Sequence, residues 1–501
     1  MDDSVRGEIF CEATSEEVHA VCELASKAFV IYSQIPDRSR AVFLRRIAEV
    51  LQQEKVTLQT VYCAESGLTS DRFESELLRT VRQLSNFAEL IEQGAWRNAS
   101  IDTPNPNQHP PKPDLRKMSI PLGPVVVFGA SNFPLAYSTI GGDSAAALAV
   151  GCPVIVKAHP LHAATSDFVA AMVVKAAKDT GMPDGVFSHL HARSFRVGTE
   201  LVQHTEIKAV GFTGSHAGGR ALIDLANNRK EPIPVFAEMG SVNPIFIMPG
   251  NLEKNAEIWS EMLANSMISG MGQFCTNPGL IFIIESDATK SFTAILEHKF
   301  LSKTTSTLLH SSIKSRYDQG KIHLLSRGVD MTQSEISSNE LAVRQALGVV
   351  RAENFIQNAE LQEEVFGPFS MLILCKDFQD FEGCARVLKG QLTATFLGSE
   401  MEFVEQSVLV NLLQQKVGRI IFNGVPTGVD ISPSMHHGGP YPASSDSRFS
   451  AVGIDSVQRF IRPISYQDFT DELLPEPLKN KNPLGILRRV NAVWTTEAIN
   501  F

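Results

Sequence analysis

The stretch from residue 120 to residue 225 alternates short apolar runs with amphipathic or small-residue segments. Continuous runs of branched apolar residues are typical of strands that are buried on both faces. Apolar residues repeated every three or four positions indicate helices between them. This alternation predicts an α/β fold with a doubly wound parallel sheet, the usual platform for a dinucleotide. We predict strands over 123–129, 152–157, 186–190 and 209–213, and helices over 138–150 and 165–180.

A glycine-rich turn, 212–220, joins the last of these strands to a helix predicted to run through Leu225. No Gly-x-Gly-x-x-Gly pattern follows a strand in this chain. Gly214, Ser215 and Gly219 can nevertheless offer backbone amides and a helix N-terminus to an anion. The turn alone does not decide whether phosphate binds there.

Two segments before this region differ in composition. Residues 15–97 repeat apolar positions at helical spacing, with Thr14 or Ser15 as a cap, and are predicted to be helical. Residues 98–118 contain five prolines, which exclude a helix or a central strand. On composition alone, the proline-rich segment is typical of a linker.

The segment with the strongest chemical signal is Gly270-Met-Gly-Gln-Phe-Cys-Thr-Asn-Pro278. It lies between a predicted helix over 254–269 and an apolar strand over 280–284. Glycines allow a backbone to approach a ligand closely, and a nearby cation or helix dipole would convert Cys275 to the reactive thiolate. The alternative is a thiol that is simply buried, as cysteines often are.

Three further motifs place a polar side chain in an apolar stretch or a turn. Glu238 lies within 234–244, where a buried carboxylate is costly unless it has a task. Asn132 follows the strand over 123–129, and Glu364 precedes a Gly-Pro turn. Together with the Cys275 segment, these motifs resemble the aldehyde dehydrogenase superfamily, in the family's order, over about residues 15–480. The likeness is closest to the branch of 2,5-dioxovalerate (α-ketoglutaric semialdehyde) dehydrogenases, through residues 130–134, 156–160, 272–278 and 437–446.

The resemblance implies a catalytic role for three of these side chains. Cys275 would attack the aldehyde carbon, and Asn132 and the Cys275 backbone N–H would donate to the oxyanion. Glu238 would activate the water that hydrolyses the thioester, with a pKa that burial raises towards neutrality. The implied reaction is NAD(P)-dependent oxidation of an aldehyde to a carboxylate, with 2,5-dioxopentanoate giving 2-oxoglutarate.

The resemblance also implies the residues that hold NADP or NAD. Relatives that prefer NAD often carry Glu three residues after the lysine that contacts the adenosine ribose, whereas 157–160 here contains no acid. Because Arg193 and Arg196 lie near in sequence, we predict that NADP is used at least as efficiently as NAD. The implied cofactor residues are Lys157 at the adenosine ribose, Gly214, Ser215 and Gly219 at the phosphate turn, Glu364 at the nicotinamide ribose, and Ser131 and Phe366.

The sequence leaves the choice of aldehyde open. A general medium-chain or long-chain aldehyde dehydrogenase that uses NADP is the alternative to the semialdehyde enzyme. Arg448 is the candidate partner for the distal carboxylate of a semialdehyde. The candidates for an apolar funnel are Phe133, Phe274, Phe369 and Phe449.

Two other functional classes are compatible with a reactive cysteine. A nucleotide-independent cysteine hydrolase would need a histidine partner for its thiol, and none of the four motifs contains a histidine. A catalytically silent structural homologue is disfavoured because Cys275, Glu238 and Asn132 are all present.

A chain of 501 residues is too long for one core. The expected fold is a variant Rossmann cofactor domain, a second α/β catalytic domain and a projecting β oligomerisation segment. The resemblance implies that 98–118 is one arm of that segment, which predicts a homodimer or homotetramer because unpaired edges aggregate. Residues 301–362 are too weakly patterned to assign. The predicted cofactor domain is 1–237 and includes the arm 98–118, and the predicted catalytic domain is 238–430. The last part, 431–501, is predicted to contain a mouth loop, a return to the cofactor domain and the oligomerisation segment 455–485.

Composition restricts the partners and the compartment. A net charge of −10 argues against a nucleic acid or an anionic membrane as partner. No apolar run approaches the roughly 18 residues that span a bilayer. The seven cysteines show no close pairs, so we predict neither disulfides nor a metal site. The acidic N-terminus is unlike a secretory signal, and a cytoplasmic location is expected.

Overall fold

The computed structural model describes residues 9–304, 306–335 and 341–499. These residues form three β-sheets, and helices pack on both faces of two of them, which confirms the predicted α/β class. The α-helices of the described residues are α1 (Ser15–Tyr32), α2 (Asp37–Gln53), α3 (Lys55–Ser66), α4 (Ser70–Glu92), α5 (Gly142–Ala149), α6 (Ala163–Asp179), α7 (Arg196–Gln203), α8 (His216–Asn227), α9 (Leu252–Ile268), α10 (Asp287–Leu301), α11 (Ser311–Ser326), α12 (Ala352–Gln357), α13 (Phe378–Val387), α14 (Glu400–Glu405) and α15 (Ser407–Gln414). The strands are β1 (Ser100–Asp102), β2 (Leu115–Pro121), β3 (Val125–Phe128), β4 (Val154–Lys157), β5 (Phe187–Leu190), β6 (Ala209–Thr213), β7 (Val235–Glu238), β8 (Ile245–Ile247), β9 (Leu280–Ile284), β10 (Asp330–Gln333), β11 (Ala346–Arg351), β12 (Phe369–Cys375), β13 (Gln391–Leu397), β14 (Val417–Phe422), β15 (Ile461–Gln467), β16 (Arg488–Val490) and β17 (Val493–Thr495).

The first sheet, which we call the cofactor sheet, contains five parallel strands in the order β5-β4-β3-β6-β7. Successive residues of β3 point to opposite faces, so Val125 and Val127 join one apolar core and Val126 joins the other. Burial on both faces explains why the strands are uninterrupted apolar runs. The order reverses at β3, where parallel sheets open a crevice at their carboxyl ends.

The second sheet, which we call the catalytic sheet, has seven strands in the order β10-β11-β12-β9-β8-β13-β14. Only its edge strand β10 is antiparallel among the described strands. Residues 301–362, which the sequence left unassigned, supply α11, β10, β11 and α12. Their pattern is weak because β10 is a partly exposed edge strand and α11 carries polar residues on much of its surface.

The third sheet, in the order β15-β2-β1-β16-β17, is assembled from distant parts of the chain. The proline-rich segment 98–118 contributes β1 and part of β2, so it is a β arm and not a linker. Within residues 455–485 the only long strand is β15, and β16 and β17 follow after residue 485, beyond the predicted segment. Pairing of this sheet with another subunit stays a prediction.

The helices largely follow the sequence pattern. Thr14 and Glu17 form a reciprocal capping box at the start of α1, as the predicted cap requires. The helix predicted over 138–150 is shorter, because residues before Gly142 form turns and α5 starts only there. No helix among the described residues is both long enough and apolar enough to cross a membrane.

Candidate active site

Cys275 lies in a tight turn between α9 and β9, as the sequence predicted. Gly270, Met271 and Gly272 have φ angles of 57°, 58° and 65°, in the left-handed region that glycine tolerates best. A Cβ on Gly272 would lie 2.1 Å from the carbonyl oxygen of Gly367, so this position requires glycine. The glycines therefore allow the chain to reverse and to present Cys275 at the end of the turn.

Asn243 fixes the backbone on the other side of the thiol. Its Nδ2 donates to the carbonyl oxygens of Cys275 at 2.8 Å and of Asn277 at 2.9 Å. The residue is fully buried and has a φ of 42°, which asparagine adopts more readily than most residues. The sequence analysis gave Asn243 no role, although it lies in the same motif as Glu238.

A histidine that the sequence analysis missed contacts Cys275. The Nε2 of His437 lies 3.6 Å from the Cys275 Sγ and 3.2 Å from the Glu238 Oε1. The side chains of His437 and Glu238 are only 1% and 2% exposed. The thiol therefore has a histidine partner from outside the four motifs, so the lack of a histidine within them does not argue against a cysteine hydrolase. The signal was present in the sequence, because His437 opens the glycine-rich stretch 437–446.

The His437 ring aligns with sulfur better than with the carboxylate. Neither carboxylate oxygen of Glu238 has a well-aligned hydrogen-bond donor among the described residues, although Nε2 is close. The backbone N–H of His437 donates to the Ser450 Oγ at 2.9 Å, which anchors the loop. One imidazole nitrogen is thus placed to exchange a proton with either neighbour. The three donor atoms also lie within 4.8 Å of one another, a set that zinc could bind.

The surroundings of Cys275 oppose ionisation of its thiol. Burial raises the pKa of Cys275 well above its ordinary value, and the charges of Glu238 and Glu364 add to the increase. Burial likewise raises the pKa of Glu364 to about 8. The thiol therefore needs a base, and His437 and Glu238 are the described side-chain bases beside it.

Glu238 does not behave as the sequence suggested. Burial pushes the pKa of Glu238 upwards, but the charge and hydrogen bond of His437, with a further contribution from Cys275, hold it below its ordinary value. The expected upward shift is therefore wrong, because a basic side chain from a distant loop reverses the effect of burial. With His437 protonated, as it is after accepting a proton, Glu238 is an ionised carboxylate.

Asn132 faces the same turn from the cofactor sheet. Its Nδ2 donates to the carbonyl oxygen of Gln273 at 2.7 Å. An amide nitrogen carries two donor hydrogens, so the second is available to a ligand. The backbone N–H of Cys275 makes no backbone hydrogen bond within the described chain. Both donors belong to the turn around Cys275, and their role towards an oxyanion stays a prediction.

The carboxyl ends of the cofactor strands carry most of the predicted cofactor residues. Lys157 ends β4, and Ser215 caps α8 by accepting from the Gly218 N–H at 3.2 Å. A Cβ on Gly219 would lie 2.6 Å from the Met239 Sδ, so glycine permits close helix–strand packing. Gly214 lies in the same turn, Ser131 lies in the turn after β3, and Glu364 and Phe366 come from the catalytic side. A parallel sheet, a free helix N-terminus and a lysine fit a dinucleotide.

The adenosine corner contains an acid that the sequence did not reveal. Glu12 approaches Lys157 closely enough for its charge to raise the lysine pKa, against the larger lowering by burial. Ser194 donates to Glu12 through its backbone N–H at 3.1 Å and through its hydroxyl. Arg196 is engaged by Glu12 and Glu200, so it is not free for a phosphate. Residues 157–160 contain no acid, but Glu12 brings a carboxylate near Lys157 from another part of the chain.

The predicted substrate residues divide into two groups. The rings of Phe133 and Phe274 stack at 5.4 Å beside the Cys275 turn. Phe449 instead packs on Phe236 at 5.2 Å in the core of the cofactor domain, and Phe369 is buried in the core of the catalytic domain. Arg448 is 78% exposed and paired with Asp446. The structure therefore contradicts the assignment of Phe449, Phe369 and Arg448 to a substrate pocket.

Comparisons with known proteins agree with this architecture. The chain matches the aldehyde dehydrogenase family model over residues 4–312. It is 43% identical to the alpha-ketoglutaric semialdehyde dehydrogenase of Acinetobacter baylyi, over 98% of this chain and 93% of that protein. It is 41% identical to alpha-ketoglutaric semialdehyde dehydrogenase 2 of Azospirillum brasilense, over 96% and 92%.

A solved structure supports the fold independently. The 1-pyrroline-5-carboxylate dehydrogenase from Thermus, crystallised with bound NAD, superimposes with a TM-score of 0.77 at 19% identity, covering 91% of this chain and 86% of that one. At this identity the likeness concerns the fold alone. The family match and the two near-full-length relatives are decisive, and the chain belongs to the aldehyde dehydrogenase family as one of its NAD(P)-dependent oxidoreductases.

Proposed function

We propose that this protein oxidises 2,5-dioxopentanoate, the semialdehyde of 2-oxoglutarate, to 2-oxoglutarate with NADP or NAD. The observation that carries the proposal is the near-full-length identity of 43% to an alpha-ketoglutaric semialdehyde dehydrogenase. The cluster of Cys275, His437 and Glu238 beside the Phe133–Phe274 pair supplies the chemistry. A homodimer or homotetramer, paired through the third sheet, belongs to the same proposal.

The first task of the site is to activate the thiol. His437 accepts the proton of Cys275 through Nε2, 3.6 Å from sulfur, and the resulting imidazolium is stabilised by Glu238 at 3.2 Å. The thiolate then attacks the aldehyde carbon, which forms a carbon–sulfur bond and an oxyanion. A base in direct contact offsets the high pKa of the buried thiol.

The oxyanion needs hydrogen-bond donors that stabilise its charge without transferring a proton to it. The second Nδ2 hydrogen of Asn132 and the Cys275 backbone N–H serve this purpose. A donor of this type typically lowers the barrier by about 3–4 kcal/mol. A dinucleotide held by Lys157, Ser215 and Glu364 would supply the acceptor for the hydride lost from the former aldehyde carbon, and Cys275 would then carry the acyl group as a thioester.

Hydrolysis of the thioester requires a base, and Glu238 is ionised and buried beside the sulfur. It takes a proton from a water that attacks the acyl carbon, and the thiolate leaves. His437 can pass a proton between Cys275 and Glu238, because its Nε2 lies close to both side chains.

The contact between Cys275 and His437 also fits a cysteine hydrolase, so the two activities need to be separated. A cysteine hydrolase that uses no nucleotide has no need of a dinucleotide-binding region. This chain has the features of such a region: Lys157, the helix capped by Ser215 and the parallel sheet. These features favour the oxidoreductase.

The decisive experiment is steady-state kinetics with 2,5-dioxopentanoate, succinic semialdehyde and pentanal, each with NAD and with NADP. We expect the highest kcat/KM for 2,5-dioxopentanoate and no turnover without nucleotide. Equal kcat/KM values for pentanal would instead support a general aldehyde dehydrogenase. Thioester hydrolysis without nucleotide, and no NAD(P)H formation with any aldehyde, would contradict the proposal.

A further inference from the structure

Two arginines that interact with Tyr137 have no acidic partner among the described residues. Arg79 of α4 donates to the Tyr137 hydroxyl at 2.8 Å and to the carbonyl oxygen of Val429. Arg419 of β14 donates to the carbonyl oxygen of Pro426 at 2.7 Å and approaches the Met435 sulfur at 3.8 Å. Neither guanidinium has a carboxylate within 4.0 Å among the described residues.

These two guanidinium groups also keep unsatisfied donors. The Nε atoms of both Arg79 and Arg419 are buried and have no hydrogen-bond partner within the described chain. A half-buried cation with an unsatisfied donor is costly, and a bound anion would offset that cost. Burial lowers the pKa of Arg419, and the opposing charges that raise it are those of ionised Cys275 and Tyr137. An uncompensated cation therefore lies within electrostatic reach of the nucleophile.

Aromatic rings connect Arg79 to the turn that carries the thiol. The guanidinium of Arg79 lies 5.4 Å from the centre of the Tyr137 ring. Tyr137 packs edge-on against Phe133 at 4.9 Å, and Phe133 stacks on Phe274, the neighbour of Cys275. Arg419 interacts through its charge with both Tyr137 and Cys275, so Tyr137 is the side chain that the two arginines share.

A third arginine in this region, Arg72, has an acidic partner. Arg72 stacks on Phe133 at 4.2 Å and is paired with the buried Glu76 at 2.8 Å. Because Glu76 compensates its charge, Arg72 serves to order the Phe133 ring. The contrast isolates Arg79 and Arg419 as the cations that still lack an anion.

We infer that Arg79 and Arg419 form the receptor for the distal carboxylate of the substrate, with the Tyr137 hydroxyl between them. The substrate class is then a short aldehyde that carries a carboxylate at its far end, and a neutral aldehyde of the same length lacks the anion that these cations require. This inference rests on the proposed dehydrogenase activity and specifies the end of the substrate that does not react. Arg79 and Arg419 take the role that the sequence suggested for Arg448, which is exposed and paired with Asp446.

The test compares two substrates in matched variants. Arg419→Gln and Arg79→Gln should each lower kcat/KM for 2,5-dioxopentanoate by about tenfold to a hundredfold, mainly through KM, since one charge-assisted contact is lost. The value for pentanal should stay within about threefold, because a neutral chain makes no such contact. Arg82→Gln on the same helix and Arg448→Gln in the mouth loop are the controls, and neither should change either substrate. Arg82 is 58% exposed and faces Asp430.

A second measurement uses the unaltered enzyme and does not depend on how the variants fold. Glutarate should inhibit pentanal oxidation competitively with pentanal, and Arg419→Lys should retain more of this inhibition than Arg419→Gln. Equal losses for both substrates in the variants, or no inhibition by glutarate, would overturn the inference. A wild-type enzyme that does not prefer 2,5-dioxopentanoate over pentanal would contradict the proposed substrate instead, so the two failures are distinguishable.

Discussion

Replacing His437 by glutamine tests how the buried thiol becomes reactive. In the folded protein, burial and the charges of Glu238 and Glu364 all raise the pKa of Cys275, and His437 is the described basic group in contact with sulfur. One charge-assisted hydrogen bond contributes about 1.5–3 kcal/mol. Loss of the imidazole should therefore raise the thiol pKa further, because the thiolate loses its hydrogen-bond donor.

The expected consequence is a loss of thiolate at neutral pH. His437→Gln should be alkylated by iodoacetamide about tenfold to a hundredfold more slowly than the wild type at pH 7. The sign follows from the direction of the shift, since a raised pKa leaves less thiolate below it. The rate for the variant should therefore climb about tenfold per pH unit, and the two proteins should converge at high pH.

The neighbouring histidine provides the control. His436 makes no contact with Cys275 or Glu238 among the described residues, so His436→Gln should be alkylated at the wild-type rate. The first turnover of NAD(P)H, measured by stopped flow, should slow in His437→Gln by at least the same factor. Alkylation of His437→Gln at the wild-type rate, with an unchanged pH profile, would refute the role of the imidazole.

Four further predictions concern the other functional residues and the assembly. Cys275→Ala should abolish oxidation of every aldehyde while nucleotide still binds by fluorescence titration; residual turnover above about a thousandth of wild type would contradict it. Glu238→Gln should release one rapid equivalent of NAD(P)H and then stall as a thioester detectable by mass spectrometry, and a missing burst would place Glu238 in an earlier step. Glu12→Gln should raise the NADP-to-NAD ratio of kcat/KM by about tenfold, because the acid beside Lys157 disfavours a 2′-phosphate; an unchanged ratio would mean that Glu12 does not face the cofactor. Light scattering at micromolar concentration should give a dimer or tetramer, and a monomeric mass would rule out pairing through the third sheet.

The fold was predictable where burial leaves a regular signature. Strands such as β3 and β9 are buried on both faces, so their residues are uniformly apolar over a strand length. The amphipathic helices before residue 97 carried an equally direct pattern. Residues 301–362 did not, because a half-exposed edge strand and a polar helix resemble loop sequence.

The candidate site was only partly predictable, because some of its residues lie far apart in the sequence. Cys275, Glu238 and Asn132 stand in local motifs, and the structure gathers them at one turn. His437 reaches Cys275 from 162 positions along the chain, and Glu12 acts on Lys157 although the two are far apart in the sequence. Their effects on neighbouring pKa values arise only after folding, so no spacing in the sequence encodes them. The same holds for Arg79 and Arg419, which belong to α4 and β14.

The charged groups around Cys275 should orient a charged substrate. Glu238 and Glu364 raise the pKa of the Cys275 thiol, so the surroundings of the sulfur disfavour a further negative charge. Arg79 and Arg419 both interact with Tyr137 and have no carboxylate partner among the described residues. In the proposed arrangement, the distal carboxylate of the substrate lies at these arginines and its aldehyde points towards sulfur, whereas a neutral aldehyde enters without this orientation. Because the Nε atoms of both arginines are buried, added salt should weaken this orientation less than it weakens an exposed ion pair.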